Sequence, residues 1–461
     1  MQKEKIAILI RRFEAKQNQQ EDSFFNEDAF EQIIDFYSHN DEYDKALAAA
    51  TLGCREHRYS IELHWQKARL HNEVHEFRES YEAAKKVENL GLRNVELYIL
   101  KAESALGFRN SKLAQTDLHI ALDIANSDEE FADIYCGIAN IYEQQNDYAK
   151  VIDTLRLALQ HNPNDDDALA RIAHAADETD RHHDALTIYQ TVADTNPYSA
   201  KAWFYLGKMN ANLGETVEAV SAYEYAIVIN ESFIDAYCAL AETYIEEGLY
   251  EKAIEILQNA ADESPEPNSE IQYLLGFGYE NLSYFSKAKA YYTEAIKINT
   301  AYYQARFALG VLYANEGNWQ SAARQFDNCV QLREFYAEYW FAAADAHAHL
   351  ENIERANFYF KNGLKHTNET SFWLTYINFL LANNYAADAL QLIEESDAIC
   401  APDSRFLYSK VAALLITKRR KAALQTLQFA LATDYTQHTF LLDIFPELVK
   451  DYEILRLLKK Q

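Results

Sequence analysis

Apolar residues recur with helical spacing in short segments along most of this chain. The runs 202–230 and 236–265 match position by position at an offset of 34 residues. Each run holds two apolar-periodic segments of about 13 residues, which are parted by a short polar turn such as 212–215 (NLGE). The pattern therefore predicts a repeated unit of two helices joined by a turn.

An alanine near the start of each second helix marks the register of the repeat. It recurs at intervals of 34 or 35 residues, at Ala185, Ala219, Ala253, Ala288, Ala322 and Ala356. First helices also carry small residues such as Gly207 and Gly276, and second helices carry large rings such as Tyr223 and Tyr292. We expect each small residue to face a ring where the two helices of a unit approach closely.

These residues resemble the tetratricopeptide-repeat (TPR) family, whose pattern is W/Y-x2-L-G/A-x2-Y, then A-x3-F/Y-x2-A, then P. The pattern recurs at least seven times from 132 to 370, and weaker units on both sides bring the total to about twelve. The run 196–203 (NPYSAKAW) is also similar to uncharacterised cytosolic TPR arrays of Bacteroidota. The resemblance implies an all-α, right-handed superhelix of antiparallel helix pairs.

The register divides the chain into five predicted segments. These are an N-terminal capping helix with a polar loop, divergent repeats, a regular array, further divergent repeats and a C-terminal capping helix, at 1–26, 27–131, 132–370, 371–437 and 438–461. Both ends of a solenoid expose core unless they are capped. A docking helix is the alternative to a cap at either end.

Both terminal segments have amphipathic patterns. Residues 1–16 place Ile6, Leu9 and Phe13 on one helical face. A second helix is predicted over 447–460, with an apolar face made of Leu448, Tyr452, Leu455 and Leu458.

Composition and charge limit the classes of protein and partner that fit this sequence. Only 12 Gly and 6 Pro occur in 461 residues, which fits a chain that rarely leaves the helix, and 49% apolar residues exclude wholesale disorder. The net charge of −28 disfavours nucleic acid as a partner. The charge is uneven, because 1–12 carry +3, 404–461 carry +5 and 13–403 therefore carry −36.

No sequence motif indicates catalysis, a metal or a cofactor. There is no GxSxG, GxxxxGK[ST] or HExxH pattern, and the paired histidines, such as His347 with His349, lack a third ligand at metal spacing. His347 takes the place of a tyrosine in other repeats, so we expect it to be a core residue. Five scattered cysteines and no long apolar segment favour a soluble cytoplasmic protein that is not an enzyme.

The family resemblance implies that places two, five, nine, twelve and thirteen of each first helix face a concave groove. The predicted partner-binding residues are Phe204, Tyr205, Lys208, Glu242, Glu246, Tyr273, Phe277, Glu280, Phe307, Asn315, Phe341 and Asp345. Aromatic rings among carboxylates suit a Lys- or Arg-containing segment with apolar anchors. The alternative is that the rings only pack against neighbouring helices.

Two hypotheses of function follow. The first is an adaptor whose acidic, aromatic groove binds a basic or amphipathic protein segment. The second is self-assembly, in which the basic terminal helices dock on the acidic body of another copy. Neither hypothesis identifies the partner or the biological process.

Overall fold

The computed structural model describes residues 2–18 and 23–458. Within these residues the chain forms 27 α-helices and no β-strand, which confirms the predicted all-α class. The chain divides into two compact units, 1–243 and 244–461.

The first unit consists of a leading helix followed by consecutive helix pairs. Its helices are α1 Gln2–Gln17, α2 Glu27–His39, α3 Tyr43–Glu56, α4 Ile61–Glu73, α5 Phe77–Asn89, α6 Val95–Gly107, α7 Ser111–Ile124, α8 Asp128–Gln144, α9 Tyr148–His161, α10 Asp166–Thr179, α11 His182–Thr195, α12 Ala200–Asn212, α13 Thr216–Ile229 and α14 Ile234–Glu246. The unit boundary falls inside α14.

The second unit continues the same alternation and ends in shorter elements. Its helices are α15 Tyr250–Glu263, α16 Ser269–Asn281, α17 Phe285–Ile298, α18 Tyr303–Asn315, α19 Trp319–Leu332, α20 Ala337–His349, α21 Ile353–Gly363, α22 Thr370–Ala382, α23 Ala386–Ile399, α24 Ser404–Ile416, α25 Arg420–Thr433, α26 His438–Ile444 and α27 Tyr452–Leu458. Short 3-10 turns occupy Leu364–His366, Tyr435–Gln437 and Pro446–Lys450.

Helices α2 to α25 make twelve consecutive pairs, which agrees with the predicted number of repeats. Even-numbered helices are the first helices of the pairs, and odd-numbered helices are the second. The register alanines of the second helices are all fully buried, at Ala185, Ala219, Ala253, Ala288, Ala322 and Ala356. Only a methyl group fits where the second helix meets its neighbours, so this position sets the period.

One residue with a positive φ lies between the two helices of every pair. It is glycine in three of the twelve turns, at Gly214, Gly248 and Gly317. In the other nine it bears a side chain: Asp41, His75, Arg109, Asn146, Asp180, Ser283, Glu351, Asn384 and Lys418. The left-handed conformation costs such a residue about 1 kcal/mol, so helix packing must impose the turn. Glycine is therefore scarce even though the chain turns so often.

Small residues in first helices face large rings in second helices, as the sequence predicted. A Cβ atom on Gly207 would lie 2.7 Å from the ring of Tyr223, and one on Gly276 would lie 2.6 Å from the ring of Tyr292. Real Cβ atoms do not approach other atoms so closely. The missing side chain therefore lets each ring pack closely against the backbone of the facing helix.

The N-terminal helix α1 packs on the first repeat through its apolar face. Phe13 is fully buried and Ile10 is buried, whereas Leu9 and Ile6 are half-buried. The ring of Phe13 contacts Phe25, which follows the residues that the structure does not describe.

The prediction of a single C-terminal helix over 447–460 is wrong for the residues that the structure describes. A 3-10 turn, Pro446–Lys450, is followed by the separate short helix α27. The carboxylate of Asp451 accepts hydrogen bonds from the backbone N–H groups of Glu453 and Ile454, and this cap starts a new helix. As a result Ile454 is buried and Tyr452 is exposed, contrary to the predicted face. Leu448 and Leu458 are buried as predicted, and Leu455 is half-buried. Residues 459 and 460 lie outside the described part of the chain.

Candidate functional site

The predicted groove rings of α12 pack within the first unit. Phe204 is half-buried, and its ring centroid lies 5.9 Å from that of Tyr223 and 5.1 Å from that of Phe233. Tyr205 stacks on Tyr189, which belongs to the preceding second helix, at 5.6 Å. These contacts give both rings a packing role and leave each of them partly accessible.

In the second unit, α16 brings three predicted residues together on one helix. Tyr273 lies 5.8 Å from Tyr292 and 6.5 Å from Phe277, measured between ring centroids. Glu280 accepts a hydrogen bond of 2.6 Å from the hydroxyl of Tyr292. The three predicted side chains are half-buried, so this helix presents rings beside a carboxylate that is already hydrogen-bonded.

The next two rings are less available. Phe307 is half-buried against Phe326, with ring centroids 5.6 Å apart. Phe341 is buried, and its ring is covered by Phe360 at 5.2 Å and Phe372 at 4.6 Å. Phe341 therefore offers little surface to a partner.

Among the predicted polar groove residues, Lys208 is engaged with the preceding repeat. Its Nζ lies 2.9 Å from the Oδ2 of Asp177, whose other oxygen accepts a hydrogen bond from Asn212. Lys201 similarly pairs with Asp166 at 2.9 Å. Ion pairs thus link neighbouring first helices across this face. Apart from Lys208 and Glu280, the predicted polar groove residues are exposed: Glu242, Glu246, Asn315 and Asp345.

A hollow of about 520 Å³ lies on the first helices of the N-terminal repeats, where the sequence assigned no binding residue. It is formed by α4, α6 and α8, and is lined by Trp65, Arg69, Glu96, Ile99, Leu100, Glu103, Asp133, Cys136, Gly137 and Asn140. Three carboxylates and one guanidinium thus surround an indole and an aliphatic patch.

The lining residues occupy the same places that the family resemblance assigned to the central groove. Glu96, Ile99 and Glu103 are the second, fifth and ninth residues of α6. Trp65 and Arg69 are the fifth and ninth residues of α4. The assignment of places two, five, nine, twelve and thirteen to the groove predicts these residues too when it is applied to the first helices of the divergent repeats. The repeat pattern is weaker there, so the sequence assigned no binding residue to them.

Carboxylates crowd one another around the hollow. Burial and the charge of Glu73 raise the pKa of Glu103, although its side chain still reaches solvent. Burial and the charges of Glu129, Asp165 and Glu96 raise the pKa of Asp133. Both groups are therefore held in a negative field that a cation would relieve.

A second hollow of about 390 Å³ adjoins the first. It lies between α2 and α4, shares Arg69 with the first hollow and is lined on its acidic side by Asp35, Glu62 and Glu73. The acidic surface thus continues over four successive first helices, α2, α4, α6 and α8.

No metal site appears in the part of the chain that the structure describes, where no group of three or more His, Cys, Asp or Glu side chains is placed to hold an ion. His347 is a buried residue, as predicted, and its Nε2 lies 3.1 Å from the Oδ1 of Asp327. Burial and Asp165 raise the pKa of Cys136 to about 12, so this thiol in the hollow is a poor nucleophile. Over 2–18 and 23–458, no helix has the length and apolar character needed to cross a membrane.

Comparison with known families places tetratricopeptide repeats in the middle of the chain. Three models described as tetratricopeptide repeat match, at 132–165, at 212–276, and at 171–232 with 279–328. These matches coincide with the segment where the sequence pattern is most regular.

Two curated proteins are similar over part of their length. TPR repeat-containing protein YpiA of Bacillus subtilis (strain 168) is 21% identical over 262 residues, which is 56% of this chain and 62% of YpiA. Protein O-mannosyl-transferase TMTC1 of Homo sapiens is 26% identical over 157 residues, which is 33% of this chain and 18% of that protein. The chain thus spans less than two thirds of either relative.

Solved structures with similar helices are also found. YrrB, a TPR protein with an unusual peptide-binding site, matches with a TM-score of 0.33 and 22% identity over 40% of this chain and 94% of that chain. The APC/C hetero-tetramer Cut9-Hcn1 matches with a TM-score of 0.41 and 16% identity over 86% of this chain and 90% of that chain. Three family matches and the regular helix pairs around them lead to one conclusion: the chain contains tetratricopeptide repeats within 132–328.

Proposed function

We propose that this protein is an interaction scaffold that binds a basic segment of a partner protein on the first helices of its N-terminal repeats. The observation that carries the proposal is the hollow on α4, α6 and α8, where Glu96, Glu103 and Asp133 surround Trp65 and Ile99. TPR proteins are protein-binding scaffolds in general, and the position and chemistry of the binding surface are the specific part of this proposal.

The chemistry of the hollow favours a cationic side chain with apolar neighbours. Burial and then neighbouring carboxylates raise the pKa of Glu103 and Asp133, and a bound Lys or Arg would favour the ionised form of both groups. The indole of Trp65 offers its face to the same cation or to an apolar anchor. Arg69 stands between the two hollows and would pair with an acidic residue elsewhere in the segment.

The predicted groove of the later first helices belongs to the same proposal. Phe204 and Tyr205 in the first unit, and Tyr273 and Phe277 in the second, keep partly accessible rings at the groove places. We assign them a secondary role, because each ring already packs against neighbouring aromatic residues.

Fluorescence anisotropy with two labelled peptides of equal length tests the proposal. One peptide carries Lys, Arg, Leu and Trp, and in the other every Lys and Arg is replaced by Glu. The full chain is expected to bind the basic peptide, more weakly as salt rises, and not the acidic one. Equal binding of both peptides, or of neither, would contradict the proposal.

A triple variant and a matched control locate the surface. Neutralising the hollow with Glu96→Gln, Glu103→Gln and Asp133→Asn is expected to abolish binding of the basic peptide. The control removes the same charges from exposed positions on second helices and should bind like the original chain: Glu79→Gln, Glu82→Gln and Asp123→Asn.

Thermal melting checks that the triple variant still folds. The raised pKa of Glu103 and Asp133 means that folding disfavours their ionised forms, so their charge lowers stability at neutral pH. The triple variant should therefore melt at or above the temperature of the original chain. If the control loses binding as well, net charge rather than the hollow attracts the peptide, and the assignment fails.

A further inference from the structure

The outward face of α13 is unlike that of the other second helices. Val217 and Val228 are 75% and 76% exposed, and Tyr225 on the same side is 56% exposed. Among the described helices no other carries three exposed large apolar side chains. On the neighbouring helix α11 the outward positions are polar, for example Thr187 and Thr191. Clusters of exposed apolar residues of this kind mark contact surfaces.

Carboxylates border this apolar strip on both sides. With 100° between successive residues, Val217, Val228 and Tyr225 lie within one arc, and Glu224 and Glu218 lie at its two edges. Both glutamates are exposed, and neither makes an ion pair with any described residue. The helix contains no Lys or Arg. The surface is therefore shaped for a helix with an apolar centre and basic edges.

The outward face of α1 has that complementary pattern. Ile8 is 58% exposed, and Lys5, Arg11 and Arg12 around it are exposed as well. The opposite face of α1 is anchored on the first repeat by Phe13, so Ile8, Lys5 and Arg11 point away from their own unit. The guanidinium of Arg12 lies at the edge of this face, 5.5 Å from the ring of Phe25. The chain thus contains both an acidic apolar strip and a basic apolar helix.

We infer that α1 of one copy docks on the outward face of α13 of a second copy. Pairing α13 with α13 would bring Glu218 and Glu224 of both copies together, and this like-charge contact disfavours a symmetric interface. An α1-to-α13 contact joins two different surfaces, so it is heterologous and adds copies head to tail. The inference does not depend on the peptide groove, because it uses a different face of the first unit.

Multi-angle light scattering on the full chain with a C-terminal tag tests the contact. The mass is expected to rise above the 53.1 kDa of one chain as concentration increases, and to fall back at high salt. A single-chain mass at every micromolar concentration and salt level would overturn the inference.

Two single variants and a control define the surfaces. Ile8→Asp and Val217→Asp change exposed residues, so neither substitution opens a core. Val217 lies in the first turn of α13, where an acidic side chain favours the helix. Each variant alone should remain a single chain, as judged by its mass. The control Phe285→Asp alters a comparably exposed residue in the first turn of α17 and should associate like the original chain.

Mixing the two variants is the decisive step. The Ile8→Asp chain keeps an intact α13 and the Val217→Asp chain keeps an intact α1, so an equimolar mixture should form dimers of twice the single mass and nothing larger. A mixture that stays at the single-chain mass would overturn the α1-to-α13 pairing. Larger assemblies in the mixture, or loss of association in the control, would overturn it too.

Discussion

Lys101 forms a buried charge network that joins the second and third repeats. It holds the seventh place of its first helix, where four other repeats have leucine, as at Leu206. Its Nζ lies 2.7 Å from the Oδ1 of Asp117 and 3.0 Å from the Oε2 of Glu88. The hydroxyl of Tyr81 donates to the other oxygen of Asp117. Lys101 and Asp117 are both almost completely buried, so each charge depends on the other.

We predict that Lys101→Leu destabilises the repeat even though it restores the residue common at this place. The substitution removes the only cation that pairs with Asp117 among the described residues, and Asp117 keeps only the hydrogen bond from Tyr81. Breaking a buried pair from one side costs about 3–5 kcal/mol. The aliphatic stem of Lys101 is already buried, so leucine adds little apolar burial to offset this cost.

Native-state hydrogen exchange of the α6 and α7 amides measures the local free energy of opening, which suits a repeat protein that need not unfold as one unit. The double variant Lys101→Leu with Asp117→Asn removes both charges and keeps an acceptor for Tyr81, so it should recover most of the loss. A single variant that loses less than about 1 kcal/mol would refute the reasoning from burial, as would a double variant no better than the single one.

The network also predicts a pH dependence. Burial works to raise the pKa of Glu88, but hydrogen bonds from Lys101 and Tyr98 lower it overall. Burial works to lower the pKa of Lys101, but its bonds to Asp117 and Glu88 raise it overall. The stabilisation should therefore be lost as pH falls through the lowered pKa of Glu88, or rises through the raised pKa of Lys101. Melting curves of the original chain and the double variant should differ most between those limits.

Three further substitutions test the packing of the repeats. Gly276→Ala places a Cβ 2.6 Å from the ring of Tyr292 and should cost about 1–3 kcal/mol in urea unfolding; an unchanged midpoint would contradict the close contact. Glu351→Gly relieves a left-handed turn residue and should stabilise the chain by up to about 1 kcal/mol, whereas a loss would mean that the turn carries no strain. Arg420→Ala removes the ion pairs to Asp451 and Glu453 and should speed hydrogen exchange in α27; unchanged exchange would show that the pairs do not hold that helix.

The sequence predicted the fold because the same contacts recur at each period. Ala219 and Ala253 could be assigned to the core from their spacing alone, and both are fully buried. The contact between Gly207 and Tyr223 was predicted because a small residue and a large residue recur at fixed places of the two helices. Because the same contacts are made in every repeat, the local sequence pattern of one unit is enough to predict how the others pack.

Features unique to one repeat could not be predicted in this way. Lys101 stands at a place that is apolar in most repeats, and the sequence gives no sign that Asp117 of the second helix pairs with it. The prediction of one C-terminal helix was wrong because the Asp451 cap interrupts an apolar pattern that is continuous in the sequence. Finding the hollow around Trp65 required two divergent repeats to be aligned with the first unit of the regular array, and the weak pattern of the divergent repeats hid the shared places.

Hydrogen–deuterium exchange of the full chain with and without the basic peptide tests the central claim most directly. Binding in the N-terminal hollows should slow exchange in peptides from the first helices α4, α6 and α8. Exchange in the intervening second helices α5, α7 and α9 should not change. Protection confined to the second helices, or spread equally over both sets, would contradict a scaffold that binds its partner on the acidic face of its first helices.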